Sequence, residues 1–217
     1  MLSKKPYLGI LPIVLIVLLV LWKLAQFVDL DLTEMGQDML SFVDVELSDE
    51  DADRLDRDFI PGIEYVASLS GLWAIRFLLA AFLMSPVSLL LGRSFPLYFR
   101  QSIGIATGFI SSLHVMVFVL SEGFFPVFTR FELIFGFIAF LIIISLTLTS
   151  SKKAMKLLKR RWKSLHRWVY IAVLLVIAHL VLLDQSWLIY ATLFSFGFLL
   201  RLKPVKKLIT RIKSTSK

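Results

Sequence analysis

Residues 160–183 read RRWKSLHRWVYIAVLLVIAHLVLL, a basic and aromatic opening followed by an unbroken apolar run that holds one polar side chain, His179. A helix needs roughly 20 mostly apolar residues to cross a bilayer core about 30 Å thick. Residues 165–183 of this stretch meet that length, with most of its cations gathered just ahead of them. Five further stretches read the same way, at 7–28, 70–91, 101–120, 131–149 and 186–201. The whole chain agrees: of 217 residues 58% are apolar and only 18% charged, against about 45–50% and 25% in ordinary globular domains. The sequence therefore predicts an all-α integral membrane protein, a bundle of six transmembrane helices. The first stretch also has the look of a signal peptide, but Leu8 to Leu21 is long for such a core and no small-residue cleavage site follows it.

Short cytoplasmic loops are enriched in Lys and Arg. Residues 150–163 hold seven of them and 201–217 another seven, while Lys4, Lys5, Arg93 and Arg100 fall on the same side of a six-span count. Both termini are thus expected to be cytoplasmic. Residues 29–58 are the opposite, with twelve Asp or Glu against Arg54 and Arg57, a net of −10 in a chain whose sum is +8. The expected organisation is a first helix over 1–28, an acidic external segment over 29–69, a helix bundle over 70–203 and a basic tail over 204–217. The acidic segment reads as a solvated loop or as a docking surface, with a short helix after Ser48, whose Asp49, Glu50 and Asp51 suit a helix start. In the basic stretch Met155, Leu158 and Trp162 recur at three and four residues, as in a helix lying on anionic lipid or at a site for a soluble electron donor.

The absence of cysteine excludes disulfides, thiolate-bound zinc or iron–sulfur clusters and covalent haem. Only three histidines exist, and all fall within expected spans, where ionisable groups are rare and usually functional. His114 lies about 20 Å into the third span and His179 about 21 Å into the fifth, both measured from the cytoplasmic side. Two level histidines on different helices suit a metal held between them, most simply a haem iron with two imidazole ligands; the plainer reading is two rings bonded to helix backbones or hydroxyls. His166 stands 13 residues before His179, a rotation of about 220° on an ideal helix, so the two rings share a face only across a bend or bulge. It reads as the ligand of a second, inner haem or as an interfacial side chain beside Arg167 and Trp168. Arg100, 14 residues before His114, lies level with His166, with Gln101 beside it. Arg76 is a charge about 9 Å below the outer surface, placed to meet a haem propionate or to reach the outer headgroups.

These residues also fall into a pattern. Gly71-Leu-Trp73-Ala-Ile-Arg76, Ser85-Pro86, Leu113-His114, Leu146-Thr-Leu-Thr149-Ser150, Arg161-Trp-Lys-Ser-Leu165-His166-Arg167-Trp-Val-Tyr170 and Ala178-His179 resemble the ferric-reductase-like transmembrane family over about residues 60–203. Within that family they are most similar to the haem-binding membrane subunits of periplasmic methionine sulfoxide reductase systems. The resemblance implies a b-type cytochrome carrying one or two haems. It also implies electron transfer to a periplasmic molybdopterin reductase subunit of the MsrP-like kind, which reduces oxidised methionine in proteins. By position it makes His114 and His179 ligands of an outer haem and His166 of an inner one, with Arg76 at a propionate. The acidic 29–58 segment departs from the pattern. The sequence after Arg201 leaves no room for a flavin and nicotinamide domain, so the expected donor is membrane quinol, bound FMN or a separate cytoplasmic flavin reductase. Other classes remain: a stand-alone ferric reductase component, a haem-free anchor with a docking loop, or a proton-coupled carrier, the last weakened by the lack of an inverted repeat. No Gly-x-Ser-x-Gly elbow or His-Glu-x-x-His site supports a hydrolase, Gly104-x-x-x-Gly108 reads as helix packing, and no nucleic-acid partner is expected.

Overall fold

A computed structural model describes residues 6–30, 40–184 and 186–215. Its long helices are α1 (Pro6–Ala25), α3 (Gly62–Leu91), α4 (Leu97–Glu122), α5 (Phe131–Leu148), α8 (Val169–Leu182) and α9 (Trp187–Leu199). Four spans are long and apolar enough to cross a membrane: α3, α4, α5 and the stretch Arg160–Leu182 ending in α8. A fifth is present if α9 and α10 (Lys203–Thr215), bent 72° from each other, are one broken span; the apolar described part of α1, Ile10–Ala25, is shorter. The architecture is that of an all-α, multi-pass membrane protein. Large apolar side chains such as Phe109, Met116, Leu141 and Leu174 face outward along these helices, as lipid-facing surfaces do.

α3 is the hub. Its one side packs with α1 and α4 around Val66, Phe77, Ile103, Ile110 and Val117, and its other side with α5, α8 and α9 around Ile75, Leu78, Phe82, Val173 and Phe194. The helix runs 30 residues, starting eight before the expected span, because the chain leading into it is pinned by backbone contacts. Gly62 donates its N–H to Asp44 Oδ1 at 2.9 Å, and a Cβ there would collide with the carbonyl of Val43. Ahead of it the acidic segment forms a hairpin of β1 (Val28–Leu30) with β2 (Leu40–Phe42), then β3 (Val45–Glu46) paired with β4 (Phe59–Ile60). These last strands flank α2 (Asp49–Leu55), whose first turn is acidic and capped by the hydroxyl of Ser48. Residues 31–39 of the acidic segment lie outside the described residues.

Pro86 lies inside α3 and has no N–H, so the carbonyl of Phe82, four residues earlier, loses its helical partner. Within a membrane protein no water is at hand to replace it. Arg201, at the end of α9, supplies the donor: its Nη2 bonds the Phe82 carbonyl at 2.5 Å and its Nη1 the Gly197 carbonyl at 3.2 Å. The guanidinium also lies 4.0 Å from the centroid of the Phe82 ring. Arg201 is thus a strut between α9 and α3 as well as a member of the basic tail. Replacing it with Ala leaves a buried carbonyl unpaired, at a cost of about 1–3 kcal/mol. For a chain of this size that corresponds to roughly 2–4 °C per kcal/mol in Tm. Thermal unfolding of detergent-solubilised Arg201→Ala should show the fall, and an unchanged Tm would contradict the role.

Candidate cofactor site

Two histidines are built into the bundle by the same device. His114, midway along α4, donates its Nδ1–H to the carbonyl of Ala67 on α3 at 2.9 Å, with the Ser70 hydroxyl 3.4 Å from the same nitrogen. His179, near the end of α8, donates Nδ1–H to the carbonyl of Glu132 on α5 at 2.7 Å. A carbonyl only accepts, so both rings carry their proton on Nδ1, and Nε2 of neither has a hydrogen-bond partner among the described residues. This is the neutral tautomer, oriented by a backbone carbonyl, that metal-ligating histidines adopt.

A glycine sits one helical turn beyond each accepting carbonyl. A Cβ on Gly71 would stand 2.9 Å from Cε1 of His114, and one on Gly136 would stand 2.9 Å from Cε1 of His179. The rings can reach their carbonyls only because those side chains are absent. The spacings repeat as well: each histidine follows its carbonyl residue by 47 positions and its glycine by 43. α3 with α4 and α5 with α8 are therefore two copies of one helix-pair device. Among the described residues no three His, Asp or Glu side chains gather to hold a bare metal ion. Two neutral imidazoles with Nε2 free would suit a haem iron, with His114 and His179 as the residues that would hold it.

A second polar cluster lies at the other end of α4. Arg100, about 21 Å along the helix from His114, gives Nη2 to the Ser88 hydroxyl at 3.2 Å, while its Nε is buried without a partner. His166 donates Nδ1–H to the carbonyl of Trp162 at 3.2 Å and stacks on that indole at 3.9 Å, and its Nε2 is also buried without a partner. Buried polar atoms without partners are uncommon in native structures and point to a missing ligand or water. Trp162 is held by its N–H to the Thr149 carbonyl at 2.9 Å, and Gln101 Nε2 donates to the Ser150 carbonyl at 2.8 Å and to Met155 Sδ at 3.4 Å. The apolar stripe of the basic segment thus packs on the ends of α4 and α5. The segment is two helices, α6 (Lys152–Leu158) and α7 (Arg160–His166), broken at Lys159, where φ is 48°.

A tightened stretch of helix lies between His166 and His179. α7 ends at His166 and α8 starts at Val169, and the amides of Arg167, Trp168 and Tyr170 bond three residues back. Such steps turn about 120° rather than about 100°, which shifts the phase by about 60° in all. Arg76 is not brought to the histidine pair. It lies five residues beyond Gly71, about 7.5 Å further along α3, exposed and 4.9 Å from the Trp73 ring centroid. In the Gly104/Gly108 pair only Gly108 is a packing contact, against Thr147; a Cβ on Gly104 would meet nothing within 4 Å. The accepting carbonyls, Gly71 and Gly136 were not singled out as site elements by sequence reasoning. The signal available was the 43-residue step from a glycine in one apolar span to a histidine in a later one.

The architecture and site define a multi-pass helical membrane protein with two histidines held at helix–helix contacts. Residues 70–177, just under half of the chain, match the family described as ferric reductase like transmembrane component. It is 32% identical over 143 residues to the protein-methionine-sulfoxide reductase heme-binding subunit MsrQ of Brucella anthropi, an alignment covering 61% of this chain and 64% of that one. The subunits of the same name from Xanthomonas euvesicatoria pv. vesicatoria and Brucella ovis are also 32% identical, over 62% of this chain and 64% and 66% of theirs. The chain thus spans just under two thirds of the length of these curated relatives. No solved structure matches it.

Because each glycine admits its ring, Gly71→Val and Gly136→Val should overpack the contact at a cost of about 1–3 kcal/mol. Thermal unfolding should show both variants destabilised, whereas Gly104→Ala, facing open space, should leave Tm within a degree or two of the parent.

Proposed function

We propose that this chain is the haem-binding membrane subunit of an MsrQ-like methionine sulfoxide reductase system. In this reading it passes electrons across a bacterial inner membrane, from a cytoplasmic-side donor to a periplasmic acceptor. The observation that carries the reading is the mirrored pair of histidines with Nδ1 committed to a helix carbonyl and Nε2 left open. The names of the relatives and the family domain support it. His114 and His179 would hold the outer haem b. His166, with Arg100 beside the same cluster, would hold an inner one. Bound haem supplies a one-electron carrier; the chain supplies its ligands, orientation and a low-dielectric surround.

His114 and His179 act by presenting Nε2, and the carbonyls of Ala67 and Glu132 act by keeping the proton on Nδ1 and the ring planes fixed. Arg76 is proposed as a propionate partner reached from the exposed position it occupies over Trp73. We take the bundle to cross the membrane six times with both termini cytoplasmic. The basic α6–α7 and α10 ends support this orientation, since cations concentrate on the cytoplasmic side. The acceptor in this reading is a molybdopterin-containing periplasmic reductase subunit docking at the acidic end. The donor is membrane quinol, FMN or a cytoplasmic flavin reductase meeting the basic end.

The dithionite-reduced minus oxidised spectrum of detergent-purified protein, with a pyridine haemochrome count, tests this. A b-type signal is expected. His114→Ala and His179→Ala should each lose a haem that His166→Ala keeps, while the His166 variant should lose only the second haem of a two-haem protein. Colourless protein made with ample haem would favour a haem-free anchor instead.

A further inference from the structure

Away from the histidines, the inner end of α3 and the corner between α9 and α10 enclose a cleft of about 360 Å³. Its polar lining is Ser85, Ser88, Ser94, Arg93, Arg201 and Lys206, three hydroxyls and three cations without a carboxylate. The ion pairs among the described residues lie elsewhere, at Arg54–Asp51, Arg57–Glu64 and Arg130–Glu132. Arg93 and Lys206 therefore line the cleft with no carboxylate partner among the described residues. Arg201 is fixed there by the carbonyls of Phe82 and Gly197, so one positive charge is set in place before any ligand arrives.

The helix that leaves this cleft is of a different kind from the spans. α10 carries Val205, Leu208, Ile209 and Ile212 at helical spacing on one side, with Lys203, Lys206, Lys207 and Arg211 among them on the other. Leu208 and Ile212 are 58% and 60% exposed while Val205 and Ile209 are half-buried, so the apolar side is open at its Leu208 and Ile212 edge. A basic amphipathic helix turned 72° from the span before it suits the plane of a membrane surface, its apolar side among acyl chains. Basic pockets between helices at such a surface take anionic lipid headgroups.

We propose that this cleft is a binding site for an anionic glycerophospholipid, with the phosphate among Arg93, Arg201, Lys206 and the three serines and the acyl chains along the exposed apolar side of α10. The cations without carboxylate partners select the negative headgroup, and the open apolar edge selects a lipid over a soluble phosphate. The site also touches the polar cluster at the end of α4, because Ser88 lines the cleft and accepts the hydrogen bond from Arg100.

Native mass spectrometry of the full chain released from micelles doped with phosphatidylglycerol or phosphatidylcholine tests this. Phosphatidylglycerol should stay bound and phosphatidylcholine should not. A charge near an anionic surface is worth about fivefold in binding, so Arg93→Ala/Lys206→Ala should lower retention roughly 25-fold. Both residues are exposed, so the fold does not depend on them. Lys152→Ala/Lys153→Ala, removing equal charge from exposed positions on α6, should leave retention unchanged. Equal retention of the two lipids, an equal loss in the α6 variant, or displacement of lipid by millimolar inorganic phosphate would each overturn the proposal.

Discussion

The hydrogen bond from a histidine Nδ1 to the carbonyl of a neighbouring helix, made twice, is the contact on which the rest of the bundle depends. It demands that α4 lie against α3 and α8 against α5 at the depth of the rings. It also demands glycine at positions 71 and 136, where any side chain would occupy the space of the imidazole. An imidazole in a low-dielectric interior must satisfy its N–H, and a helix carbonyl already bonded once still has a lone pair to accept it. The arrangement thus meets the cost of placing a polar ring among lipid-facing helices and leaves one nitrogen open.

Polar satisfaction also explains the joints. Pro86 deprives Phe82 of its helical partner, and Arg201 from α9 takes its place, which ties the last long helix to the hub. At the basic end, the Trp162 indole and the Gln101 amide bond carbonyls of the residues that end α5, docking α6 and α7 beneath the bundle. Only Arg100 Nε and His166 Nε2 break this rule among buried side-chain atoms of the described residues.

Much of this was legible in the sequence because lipid solvation imposes a simple code. Apolar length marks the spans α3, α4, α5 and α8 to within a few residues at most ends, and a histidine inside such a span stands out against its neighbours. Other features escaped because they rest on contacts between distant segments. The start of α3 at Gly62 depends on Asp44 and Val43. The break of the basic segment at Lys159 is a backbone turn that composition does not mark. Arg201 reads as one more cation of the tail until the missing N–H of Pro86 is considered. The glycines opposite the histidines carry no chemical group, so only the repeated 43-residue step between them and the rings records their role.

The central claim is that His114 and His179 together supply two imidazole nitrogens to one iron. Low-temperature electron paramagnetic resonance of the purified ferric protein addresses it directly. The account expects a low-spin, six-coordinate ferric signal of the two-imidazole kind that persists in His166→Ala and disappears in His179→Ala. A high-spin signal as the main species of the His166→Ala protein, or a low-spin signal surviving in His179→Ala, would contradict it.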